Sequence, residues 1–67
     1  MYTLMIIRHG VIKYYCADGE FRILWHNPEA SAVLFKYKQD AIDAYDRWAL
    51  KHPATSRGWM VRILEEE

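Results

Sequence analysis

The stretch Leu4–Gly10, "LMIIRHG", carries an apolar run directly into Arg8-His9-Gly10. Those residue types could transfer a phosphoryl group. An imidazole nitrogen can accept it as a nucleophile, and a neighbouring guanidinium can hold the phosphate oxygens. Such a site needs more than three residues, so what surrounds His9 decides whether that chemistry is available.

The Arg-His-Gly triplet resembles the motif of the histidine phosphatases. In that family the strand before the motif is parallel, a loop and helix follow it, and further Arg residues and a second His complete the site from a much longer chain. Here Gly10 is followed at once by "VIKYYC", another strand-like run. A motif without its structural context carries no function. The expectation is therefore a tight hairpin turn at His9-Gly10, with His9 not a nucleophile. Metal binding has equally little support, because His9, Cys16, His26 and His52 show none of the short ligand spacings of zinc sites. His52 falls on the apolar stripe of a helix and reads as a core-edge residue. Cys16 has no His or cation beside it to lower its pKa and reads as a small buried hydrophobe. No enzyme, metal or cofactor is expected.

With 67 residues, the chain is read as a single domain, residues 1–67. Domains this small are marginal on buried area alone. An apolar share of 52% that includes three Trp and five Tyr offsets the deficit and argues against disorder. Nine basic residues balance nine acidic ones, which speaks against a partner held mainly through phosphates. A single Cys and no secretory-type leader suggest a reducing, cytoplasmic setting. No apolar run approaches the roughly 20 residues of a membrane span.

The elements follow from side-chain periodicity. Residues 2–8 are apolar on both parities, which suits a central strand. Residues 11–16 form a second strand, Asp18-Gly19 a hairpin turn, and residues 21–25 an alternating third strand. "NPEAS", residues 27–31, predicts one helical turn behind Pro28, and residues 32–36 a short extended run. A helix is predicted from about Lys38 to His52. Its apolar stripe comprises Ala41, Ile42, Tyr45, Trp48, Ala49 and His52. Gln39, Asp40, Asp43, Asp46, Arg47 and Lys51 lie opposite, with Asp43 and Arg47 in the favourable acid-first order. Pro53 ends that helix. Residues 58–64 make the last strand before an acidic tail, Glu65–Glu67. The fold class is α+β: a mainly antiparallel sheet, in the order β-β-β-short β-α-β, with one amphipathic helix on one face.

One helix leaves the second face of a sheet uncovered. With Phe21, Ile23, Trp25, Trp59, Val61 and Ile63 toward the helix, the other face carries Arg22, Leu24, Met60, Arg62 and Leu64, and Lys13 and Tyr15 are expected to join them. Arg, Tyr and Met favour interface cores, and exposed Leu and Met ask for cover. Leu50 sits on the charged side of the helix near Asp43 and Asp46 and marks a second surface. Partner contact is therefore expected through Lys13, Tyr15, Arg22, Met60 and Arg62 on the sheet, and through Asp43, Asp46 and Leu50 on the helix.

Residues 25–41, "WHNPEASAVLFKYKQDA", together with the closing "WMVRI", residues 59–63, are similar to a pattern in short accessory proteins of phages and other mobile elements. In that pattern a strand ending in Trp leads to a small-residue turn, then Ala-x-x-Phe, then a helix opened by an acidic residue and Ala. This chain departs from it at Tyr37, where Ser or Thr usually caps the helix. The resemblance spans roughly residues 20–64 and implies an inhibitor that binds host machinery, of the anti-CRISPR type. The function expected is a non-enzymatic, phage-encoded protein-binding inhibitor of a bacterial host protein or ribonucleoprotein complex such as a CRISPR–Cas effector. The alternatives are a nucleic-acid-binding regulator that uses the open sheet face, and a structural homodimer. The charge balance places direct nucleic-acid contact behind a protein partner.

Overall fold

The computed structural model describes residues 1–23 and 32–65. Their order is β1 (Tyr2–Arg8), β2 (Val11–Tyr15), β3 (Phe21–Arg22), β4 (Leu34–Phe35), α1 (Lys38–Lys51), α2 (Pro53–Ser56) and β5 (Met60–Glu65). The sheet is antiparallel throughout, and α1 packs on one side of it, so the α+β architecture expected from the sequence is found. The third strand is shorter than expected. Its predicted continuation through Leu24 and Trp25, and the helical turn at residues 27–31, lie outside the described residues.

β1 is the hub. β5 runs along one of its edges from Tyr2 to Ile7. The other edge is shared: β2 pairs with Met5–Arg8 and β4 with Tyr2–Thr3. β2 parts from β1 beyond Tyr14, and the segment 32–35 fills the gap. Cys16 bridges Ala32, the Val33 amide donates to the Tyr15 carbonyl at 2.9 Å, and the next two residues bond β1. This inserted segment curls the sheet.

Both hairpins use left-handed backbone. His9 and Gly10 have φ of 48° and 77°, as a two-residue type I′ turn between Arg8 and Val11 requires. The second turn differs from a simple Asp-Gly pair. Cys16 accepts from the Gly19 amide at 3.0 Å and donates to the Glu20 carbonyl at 2.9 Å, a three-residue loop in which Gly19 alone is left-handed, at φ 81°.

The core lies between sheet and α1. Leu4 and Ile6 of β1 meet Ala41, Ala44 and Trp48 of the helix, and Phe21 closes one side. Small alanines let the helix approach closely. The Trp48 indole meets Phe21 edge-on at 4.8 Å and lies 5.4 Å from the His52 ring, while Tyr15 contacts Phe21 and Phe35 at 5.3 and 5.8 Å. Of the expected stripe, Ala41, Tyr45, Trp48 and Ala49 pack in the core, Ala44 joins them, and His52 lies against Trp48, whereas Ile42 is half-buried and outside the core cluster. Tyr37 occupies the N-cap in extended conformation and makes no side-chain capping bond, so the departure from Ser or Thr does lose that bond. Pro53 stops α1 and also opens the single turn of α2.

Two substitutions test this core. Trp48→Ala removes the largest side chain of the cluster and should cost about 3–5 kcal/mol, enough to abolish a cooperative thermal transition in so small a domain. The Thr3 hydroxyl is buried and has no hydrogen-bond partner among the described residues. An unpaired buried polar group costs about 1–3 kcal/mol, so Thr3→Val should hold or raise the thermal midpoint; a clear fall would mean that the hydroxyl has a partner.

Candidate binding face of the sheet

Strand register assigns every side chain to a face, because directly paired residues share one. Leu4 and Ile6 point to the helix, and so do their partners: Lys13 opposite Ile6, and Ile63 and Val61 on β5. Tyr15 lies on this side as well, inside the aromatic core. Lys13 and Tyr15 therefore do not share the open face with Arg22, Met60 and Arg62. That expectation is corrected. Lys13 instead reaches across the sheet to the Trp59 ring, with its ammonium 5.1 Å from the centroid.

The open face is built in three rows around the alternate residues of β1. Leu34, Thr3 and Leu64 form the first. Tyr14, Met5 and Arg62 form the second, which Arg22 extends onto β3. Ile12, Ile7 and Met60 form the third. The middle column is covered by its flanks, with Thr3 and Met5 buried, while the flanks stand out: Leu34 is 53% exposed, Met60 57%, Leu64 42% and Ile12 39%. Arg22, Met60, Arg62 and Leu64 thus sit where the alternation of the sequence placed them, and Leu24 lies outside the described residues.

Three contributors to this face were missed: Ile12, Tyr14 and Leu34. The signal for two of them was present. A two-residue turn at His9-Gly10 pairs Arg8 with Val11, and counting back puts Tyr14 beside Met5 and Lys13 beside Ile6. Leu34 could not be found that way, because nothing local says that its strand wedges beside β1.

Charge on this face is asymmetric. At the β3 edge the Asp18 carboxylate accepts from Arg22 Nε at 2.8 Å and from the Glu20 amide at 3.1 Å. The Arg22 hydrogen bond, reinforced by that amide, holds the Asp18 carboxyl below its ordinary value. At the opposite, β5 edge stands Arg62, exposed and with no carboxylate partner among the described residues.

The remaining candidates are dispersed. Asp43, Asp46 and Leu50 share the outer face of α1; Leu50 is 82% exposed, and Asp43 accepts from Gln39 at 3.1 Å. His9 is an exposed turn residue, as expected, and the Arg8 guanidinium lies against Gly58. Cys16 is buried, its thiol donates to the Tyr14 carbonyl at 3.3 Å, and burial followed by the Asp18 charge pushes its pKa up, the reverse of an activated thiolate. His26 lies outside the described residues. Among those described, no group of three His, Cys, Asp or Glu is placed to hold a metal, and no helix is long and apolar enough to cross a membrane. Comparison with protein-family models, curated proteins and solved structures finds no match.

The Asp18–Arg22 pair gives a pH prediction. A carboxylate whose pKa is lowered by folding adds stability above its unfolded value, and that stability is lost as pH falls toward the folded value. The pair is solvent-exposed and its contribution small. Asp18→Asn should therefore lower the thermal midpoint slightly at neutral pH and converge with the parent chain as pH falls below the ordinary aspartate range, as read by thermal melts between pH 2 and 7.

Proposed function

We propose that this protein is a non-enzymatic binding protein that seats a protein partner on the open face of its sheet. The observation that carries this reading is the set Ile12, Leu34, Met60 and Leu64, large apolar side chains exposed together on one face. Apolar exposure of this kind, with Arg and Tyr interleaved, is the composition of a protein interface. The acidic groups at the β3 edge and the formal net charge of zero make the same face a poor cradle for phosphates. The partner we propose is a bacterial host protein or ribonucleoprotein, such as a CRISPR–Cas effector, blocked sterically. That target is supported by the resemblance of residues 25–41 and 59–63 to phage accessory proteins. The outer face of α1, with Asp43, Asp46 and Leu50, is a second and less apolar surface.

A tagged chain passed through nuclease-treated and untreated bacterial lysates tests the reading. A stoichiometric protein should be retained in both, be lost with Met60→Asp and persist with Leu50→Asp. Retention that vanishes with nuclease would replace the protein partner with nucleic acid. Loss with Leu50→Asp alone would move the site to the helix.

A further inference from the structure

The net charge of zero conceals an uneven distribution. β1 ends in Arg8, the turn adds His9, and β5 enters beside them because Met60 pairs with Ile7. Residues 57–59 therefore lie at this end of the sheet, and two of them hold cations in place. A Cβ on Gly58 would stand 2.8 Å from Arg8 Nη1 and 3.1 Å from its Cζ, so the guanidinium packs against backbone that has no side chain in its way. Trp59, next in the chain, carries the Lys13 ammonium over its ring. Arg57, which precedes them, is exposed. Every carboxylate among the described residues lies elsewhere: Asp18 and Glu20 at the β2–β3 turn, Asp40, Asp43 and Asp46 along α1, and Glu65 at the far end of β5. Asp18–Arg22 is the one ion pair among those residues, so the charges of Arg8, Lys13 and Arg57 are not neutralised there.

We propose that this end of the sheet, where Arg8 and Lys13 flank Gly58 and Trp59, binds the phosphate backbone of a nucleic-acid strand. Cations gathered on an uncharged frame attract an anion, and side chains already restrained lose less entropy when it binds. The guanidinium offers phosphate a two-pronged donor, and the ammonium adds a point charge. Cations interleaved with an aromatic ring are also the composition of surfaces that track single strands. Arg8, His9 and Arg57 are exposed, so the surface is open and does not enclose a ligand as a small-molecule pocket does. A polynucleotide instead presents phosphate after phosphate along such a surface. The surface is separate from the apolar open face, because Lys13 and Trp59 belong to the helix side of the sheet and Arg8 alternates with Ile6 on that side. It therefore does not depend on what the open face binds.

Fluorescence anisotropy of a short labelled single-stranded RNA, titrated with the purified chain over a range of salt, provides the test. Affinity should fall with salt at a log–log slope of about −2, as three phosphate contacts require. Arg8→Gln and Lys13→Gln should each weaken binding about threefold to tenfold at low salt. Gly58→Ala is the sharper variant, since it keeps every charge and displaces only the tip of the Arg8 side chain; it should weaken binding as much as Arg8→Gln. Lys38→Gln, at the start of α1, should have a smaller effect than either. Circular dichroism checks folding, and Arg8→Lys, which keeps the charge and loses the fork, replaces Gly58→Ala if that variant does not fold. No binding at low salt overturns the proposal, and so does full affinity in Gly58→Ala. Polyglutamate that displaces the RNA as well as unlabelled RNA does would replace the nucleic acid with an acidic protein segment. Pyrophosphate that does so at equal phosphate concentration would replace it with a small phosphate compound. Capture of a lysate protein by the open face is read separately and bears on none of these outcomes.

Discussion

Every strand except β3 is hydrogen-bonded to β1, and that constraint organises the molecule. A strand with partners on both edges and cover on both faces must be apolar on both parities, and Thr3 to Ile6 are buried in succession. Alternate residues of β1 then seed two different surfaces. Leu4 and Ile6 anchor the helix, while Thr3, Met5 and Ile7 form the spine of the open face. Any change of register along β1 would exchange these roles for every strand paired to it.

The two surfaces solve the same burial problem unequally. On the helix side the aromatic rings of Tyr15, Phe21, Phe35 and Trp48 fill the space beside small alanines, and the Lys13 ammonium lies over the Trp59 ring. On the far side the flanking side chains cover the spine but are themselves left in water. The apolar exposure that suggests a binding role is thus a direct consequence of a sheet with one helix.

Much of this was legible along the chain. Continuous apolarity singled out β1, the Gly-containing turns placed two hairpins, and the 3.6-residue stripe located α1 to within a residue of its end. The candidate face was half legible. Met60, Arg62 and Arg22 follow from alternation, but alternation within a single strand does not place Lys13 and Tyr15 on the helix side. Their faces depend on pairing with β1, which only the turn between them could transmit. Asp18 illustrates another limit: its neighbours Gly19 and Arg22 suggest a turn and a charge, yet the three-residue loop that joins the carboxylate to Arg22 is set by strand pairing on either side.

The sequence alone determined what local chemistry controls: which segments are strands, where the backbone must turn left-handed, and which side of α1 is buried. Those properties depend on a residue and its near neighbours. Tertiary structure decided which edge of β1 each strand took, how residues 32–35 wedged beside it, and therefore which side chains share the open face. Alternation says only that neighbours point apart, and it takes hydrogen bonds between residues distant in the chain to say toward what.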